Sequence, residues 1–168
     1  MARVEIMSGG VGAPSVVQRV YMTPKGKARP RVPRIGKAYM PKEYEGWKLE
    51  LSLAFNQFDF TKWNTVKLCV VAVLKIPTSL SRKRAAELVG KYHNLDKPDI
   101  DNLAGSVMDA LFPTSDGKIV TLGEPCRKHW GYENYMEIGV YSLDNDPRGT
   151  YPEWYTKRYN QTPKKSTK

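Results

Sequence analysis

Asp99, Asp101, Asp109 and Asp116 fall within eighteen positions, in the stretch KPDIDNLAGSVMDALFPTSDGKIV from Lys97 to Val120. Carboxylates this dense repel one another unless a cation sits between them, and a bound divalent metal is the natural one. The chain around them is strongly basic: 27 Lys plus Arg stand against 17 Asp plus Glu, a formal net charge of +10. A surface of that sign attracts a polyanion. Metal-holding carboxylates on such a protein point to phosphodiester chemistry. A metal there binds a phosphate oxygen, generates a hydroxide nucleophile and stabilises charge on the leaving oxygen.

On a helix, Asp101, Gly105 and Asp109 are spaced by four and stack on one face, beside the apolar stripe. Asp99, just after Pro98, can fold back toward Asp101. Asp116 follows a turn, Phe112-Pro113-Thr114-Ser115, that can return the chain to the helix, so that two or three carboxylates converge. Mg²⁺ keeps several of its waters, so one or two carboxylates per ion suffice. A plain helix N-cap accounts for one Asp but leaves Asp109 and Asp116 unexplained.

The elements that must position these residues follow from periodicity. Residues 1–16, rich in Gly, Pro and Ser, read as a flexible arm, and Val16 to Met22 as a first strand. In PKGKARPRVPRIGK, residues 24–37, Lys25, Lys27, Arg29 and Arg31 recur at period two, which puts them on one side of an extended chain. Pro30 and Pro33 exclude a helix or a central strand there, leaving an edge strand or an ordered arm that presents cations. Lys42 to Phe58 is helical, with Tyr44, Trp47, Leu51, Ala54, Phe55 and Phe58 inward. Thr65 to Ile76 is a central strand covered on both faces. A second helix, capped by Ser79 or Ser81, buries Ala85, Leu88, Val89 and Tyr92. Its first-turn cations Arg82, Lys83 and Arg84 are a solvated face or phosphate contacts. The acidic stretch opens a third helix, roughly Asp101 to Leu111, with Leu103, Val107, Ala110 and Leu111 as its core stripe. Ile119 to Leu122 and Met136 to Leu143 read as strands that pair through a long loop. The expected organisation is the arm, one domain over residues 17–145, and a basic tail over residues 146–168 whose cations include Lys157, Arg158 and Lys164.

The length suits one domain with a real core. The longest apolar run, Leu68 to Leu74, is too short to cross a bilayer, and no signal peptide is expected. Cys69 and Cys126 have no zinc or disulfide spacing, which fits a reducing cytosol. No basic amphipathic membrane helix is present, so nucleic acid is the expected polyanion. His93 is expected in a solvent-exposed loop. Tyr92, Trp130, Tyr132 and Tyr135 are core or interface residues, or platforms for unpaired bases.

The sequence resembles the RusA-like Holliday junction resolvases, a family common in phages and prophages. GKARPR (Gly26 to Arg31) followed by AYMP (Ala38 to Pro41) is similar to that family's N-terminal basic signature. KPDIDNL (Lys97 to Leu103), DAL (Asp109 to Leu111) and SDGKIV (Ser115 to Val120) match its central block in order and spacing, and Lys128 is similar to a lysine usual there. The likeness covers roughly residues 17–143. It implies a Mg²⁺- or Mn²⁺-dependent endonuclease that nicks branched DNA as a symmetric homodimer in the cytoplasm of a bacterial host, serving recombination or repair. The implied fold is α+β, a small mixed sheet packed by about three helices. Asp99, Asp101 and Asp116 would be the metal-binding catalytic carboxylates, with Asp109 in support. Lys25, Lys27, Arg29, Arg31, Lys97 and Lys128 would contact DNA.

One position departs from the family. A catalytic lysine is usual four residues after the second Asp, and this chain has Gly105 there. Lys118, two residues after Asp116, is the first candidate for the missing cation, with Lys97 the second. Full cleavage by Lys118→Ala with unchanged binding would rule Lys118 out. The departure also keeps a second class open, a branched-DNA-binding protein that has lost catalysis. A third reading is a nuclease of broader taste that cuts flaps or forks.

Overall fold

The computed structural model describes residues 1–10, 12–95 and 97–148. Most of the expected basic tail, with Lys157, Arg158 and Lys164, lies outside the described residues. The elements are β1 (Arg3–Ser8), β2 (Ser15–Tyr21), α1 (Lys42–Ala54), β3 (Val66–Lys75), α2 (Arg82–Leu88), α3 (Ile100–Leu111), β4 (Ile119–Leu122), β5 (Arg127–Gly131) and β6 (Tyr135–Ser142). They form one mixed sheet in the order β1-β2-β6-β3, and the far edge of β3 is shared by β4 and β5. The α+β class and the small mixed sheet are as expected.

β3 is the hub because its sequence is apolar on both faces. Val66, Leu68, Val70 and Ala72 are fully buried, and Cys69, Val71 and Val73 nearly so. One edge pairs antiparallel with β6, from Val66 opposite Ser142 to Val73 opposite Tyr135. The other pairs in parallel with β4 at Val66–Leu68 and with β5 at Val71–Lys75. Parallel neighbours require crossovers, and α3 lies in the crossover between β3 and β4. One face of the sheet packs on Tyr44, Trp47 and Leu51 of α1 and Leu103, Val107 and Ala110 of α3. On other strand positions long side chains pair with each other: Arg19 bonds Glu137, and Arg3 lies 3.5 Å over the Tyr21 ring.

Four expectations are corrected. The residues read as a flexible arm contain β1, which pairs antiparallel with β2 from Arg3 opposite Tyr21 onward. Without β1, the outer edge of β2 would leave a row of unpaired backbone groups. β4 and β6 do not pair with each other, since each takes its own edge of β3. β5 lies in the segment taken as a loop. Finally, α2 buries no residue, and Val89 and Tyr92 beyond it are exposed. Seven residues make only two turns, too few to seat a stripe in the core.

Gln18 is an oddity of this core. It is fully buried between Val16 and Val20, and neither amide atom has a hydrogen-bond partner among the described residues. A buried unsatisfied amide costs about 1–3 kcal/mol. Gln18→Met is therefore expected to raise the thermal midpoint by about 2–4 °C per kcal/mol recovered. A lower midpoint in calorimetry would mean that the amide is held by a bound water.

Candidate active site

The acidic stretch and the basic stretch lie against each other. α3 begins after a cis Lys97–Pro98 peptide, with Asp99 at its N-cap position. Asp99 makes no side-chain capping bond, and its Oδ2 accepts from Asn102 Nδ2 at 3.1 Å. Its carboxylate is thus not consumed by the helix end. α3 is held down by Leu103 and Val107, both fully buried.

Residues 25–27 are stitched along α3. Ser106 Oγ donates to the Lys25 carbonyl at 2.6 Å, and the Lys27 N–H donates to the Asn102 carbonyl at 2.9 Å. Gly26 makes the close approach possible, since a Cβ there would stand 3.3 Å from Asn102 Cβ. Lys27 then runs over Gly105 and donates from Nζ to Asp109 Oδ1 at 2.9 Å. The other oxygen of Asp109 accepts from the hydroxyl of Tyr44, also at 2.9 Å. Burial, and then this bond, push the Tyr44 hydroxyl far above its ordinary pKa, so it stays a donor at any working pH.

Beside this contact opens a cleft of about 680 Å³ lined by Pro24, Gly26, Lys27, Arg29, Lys97, Pro98, Asp99 and Asn102. A cleft lined by three cations and one carboxylate suits a phosphate approaching together with a metal. Lys25 and Arg31 do not line it, so the four cations read as one row divide. Arg31 is exposed and pairs its backbone with Tyr39 at 2.8 and 3.0 Å.

Asp101 and Asp116 are both exposed. The expected convergence of Asp116 on the start of α3 is not formed. Ser115 N donates to Phe112 O and Lys118 N to Ser115 O, so the segment coils in place at the far end of α3. That end is about 15 Å from Asp101 along the axis, at 1.5 Å per residue. Among the described residues no group of three or more His, Cys, Asp or Glu side chains is placed to hold a metal ion. The carboxylate oxygens of Asp99 and Asp101 are nonetheless of the hard type that Mg²⁺ and Mn²⁺ take, and one or two such ligands with waters suffice.

Two lysines have other engagements. Lys118 Nζ donates to the Thr61 carbonyl at 2.9 Å, which ties the turn before β4 to residues 60–62. Lys128 Nζ donates to the carbonyls of Leu95 and Pro98 at 2.6 and 3.0 Å, bracing the loop that delivers Asp99. His93, expected in solvent, is 5% exposed and packs 4.2 Å from the Trp130 ring, because its backbone N–H bonds the Lys128 carbonyl beside β5. Tyr92 stacks on His129 at 5.2 Å, and Tyr132 stays exposed.

Burial, and then the Lys128 ammonium, lower the His93 pKa below its ordinary 6.5. The unfolded chain therefore takes up this proton at a higher pH than the folded one. The stability His93 contributes is complete above its unfolded value and is lost as pH falls through the folded one. The thermal midpoint is expected to fall between pH 7 and pH 5, and to fall less in His93→Phe. Equal slopes would exclude His93 as the source.

The chain is thus an α+β protein with a small mixed sheet, whose crossover helix carries exposed carboxylates beside a strap of cations. Residues 22–140 match the family model of the endodeoxyribonuclease RusA, and the chain belongs to that family. Membership implies an endonuclease of the kind that resolves Holliday junctions. No match is found among individually curated proteins. No helix among the described residues is long and apolar enough to cross a membrane.

Proposed function

We propose that the chain is a divalent-metal-dependent endonuclease that resolves four-way DNA junctions by paired symmetric nicks, acting as a homodimer in the cytoplasm of a phage-infected or prophage-bearing bacterium. The observation that carries this reading is the cleft at the start of α3, which Lys27, Arg29 and Lys97 line together with Asp99. Asp99 and Asp101 would hold Mg²⁺ or Mn²⁺, while Asp116, which the family resemblance adds to the set, stands at the far end of α3. When bound, the metal supplies Lewis acidity and an activated water. The protein's part is to bring a phosphate to it. Arg29 and Lys97 neutralise the approaching backbone, Asn102 fixes the orientation of the Asp99 carboxylate, and Lys128 holds the preceding loop. Two-fold symmetry of a dimer suits a junction that needs two matched nicks.

A branched-DNA-binding protein without cleavage is the second reading. It is favoured by the lack of a three-ligand group among the described residues. One assay separates the two: a labelled four-way junction with Mg²⁺, beside flap and fork substrates and an EDTA control. Paired symmetric nicks on the junction alone support resolution. Nicks on flaps and forks as well indicate a broader nuclease. Junction binding without metal-dependent nicking sinks the enzyme reading.

A further inference from the structure

We infer that Lys27, delivered over Gly105 from the strap before α1, is the cation that contacts the scissile phosphate in this site; this rests on the proposed nuclease reading. Three observations carry it. First, the side chain occupies the space above Gly105. A Cβ added at Gly105 would stand 3.4 Å from Lys27 Cδ and 3.9 Å from its Cβ. A side chain at position 105 would start in ordinary van der Waals contact with that stem, so a lysine there and Lys27 are two ways of placing one ammonium on one helix face.

Second, the ammonium is aimed. The backbone of Lys27 is fixed by its bond to the Asn102 carbonyl, and that of Lys25 by Ser106. Nζ is then set at 2.9 Å from Asp109 Oδ1, while Tyr44 occupies Oδ2. Asp109 thus acts as an anchor for a cation, and Tyr44 fixes the anchor.

Third, the cation is not used up. The side chain of Lys27 is 50% exposed, against 22% for Asp109, and an ammonium has three N–H donors. Bonds toward the cleft stay open for an anion, and Lys27 lines that cleft together with Asp99. Charge held rigidly where a phosphate gains negative charge is among the stronger contributions a protein makes to catalysis. Neither Lys118 nor Lys128 has this geometry: Lys118 reaches from the turn beyond the far end of α3 to the Thr61 carbonyl, and two of the three Lys128 donors are taken by the carbonyls of Leu95 and Pro98.

The test combines three variants with two readouts, junction nicking with Mg²⁺ and junction binding across a salt series in Ca²⁺. Lys27→Met is expected to lower nicking by about 100-fold or more, in the range seen when one preorganised charge-stabilising donor is removed. It should also reduce the slope of log binding constant against log salt by about 0.9, the loss of one phosphate contact. Lys27→Met/Asp109→Asn removes both charges and keeps an acceptor for Tyr44, so it separates catalysis from charge balance. It should remain as inactive as Lys27→Met. Lys27→Met/Gly105→Lys should recover nicking and slope together, because it returns an ammonium to the same face.

Recovery of nicking in Lys27→Met/Asp109→Asn would mean that Lys27 only neutralises Asp109, and would overturn the inference. So would Lys27→Met nicking within about threefold of the parent with an unchanged salt slope. If the parent chain binds the junction but nicks nothing with Mg²⁺ or Mn²⁺, the endonuclease reading fails. Lys27 as a phosphate contact is then judged by the salt slope alone, where a drop of about one with Lys27→Met and its return with Gly105→Lys decide for it.

Discussion

Asp101→Asn is expected to lower metal-dependent nicking of a four-way junction by about 100-fold or more, with junction affinity within about threefold. A metal-held nucleophile and leaving group account for several kcal/mol of barrier, and each 1.36 kcal/mol is tenfold in rate. Binding is spared because Asp101 is an exposed carboxylate that bonds no cation among the described residues, and its neutral isostere cannot weaken the attraction of a basic surface for DNA. Asp99→Asn should give a similar loss, with a further cost in positioning, since the Asp99 carboxylate accepts from Asn102. Asp116→Asn is the informative comparison, because Asp116 lies at the other end of α3. Quantitative single-turnover rates on a labelled junction, paired with binding in Ca²⁺, measure all three. An Asp101→Asn rate within threefold of the parent would remove Asp101 from the proposed metal site.

The second large effect is on stability. Leu103→Ala is expected to cost about 2–5 kcal/mol, the range for emptying a packed leucine site. Leu103 is fully buried in the core beneath α3, and little around it can collapse. The same helix carries Asp101, Gly105 and Asp109, so the loss should reach the site before it reaches the fold. Nicking should fall at temperatures well below the new midpoint. Calorimetry beside a temperature series of the nicking assay tests this; a shift under about 1 kcal/mol would mean that α3 is held mainly by its polar stitches.

Periodicity made α1, β3, α3 and β4 legible, because each has a face that can only be buried. β3 is clearest: ten residues that are apolar on both faces fit no position but a sheet centre. β5 was hidden because Arg127-Lys128-His129 has no apolar alternation; it is a strand because β3 offers it a free edge. β1 was hidden for a related reason. Its Ile6 and Met7 stay half exposed, so their pattern carries no inside and outside. The misreading of α2 came from the opposite error, apolar spacing taken without knowing where the edge of the sheet would fall, and His93 was read as a loop residue because β5, which it packs against, was hidden.

The candidate site was legible in its acids and not in its assembly. Asp99 and Asp101 are neighbours in sequence, but Lys27 and Asp109 are 82 residues apart, and no local pattern reports a pair at that distance. Gly105 signalled that a charge was missing from the helix face. What fills the gap follows from the strap crossing α3 at Asn102 and Ser106, which depends on the packed fold.

The bonds from Lys128 to the carbonyls of Leu95 and Pro98 have a consequence for how the molecule comes apart. β5 touches the sheet along one edge only, and its loss would leave the core beneath α1 and α3 in place. Yet the loop that carries Asp99 is fastened to β5. Opening of that edge is therefore a low-energy event confined to one border of the molecule, and it takes the Asp99 loop with it. Amide hydrogens of β5 and of residues 91–95 should exchange together, ahead of those in β3. Mild denaturant should silence the enzyme while the far-UV spectrum is still that of the intact protein.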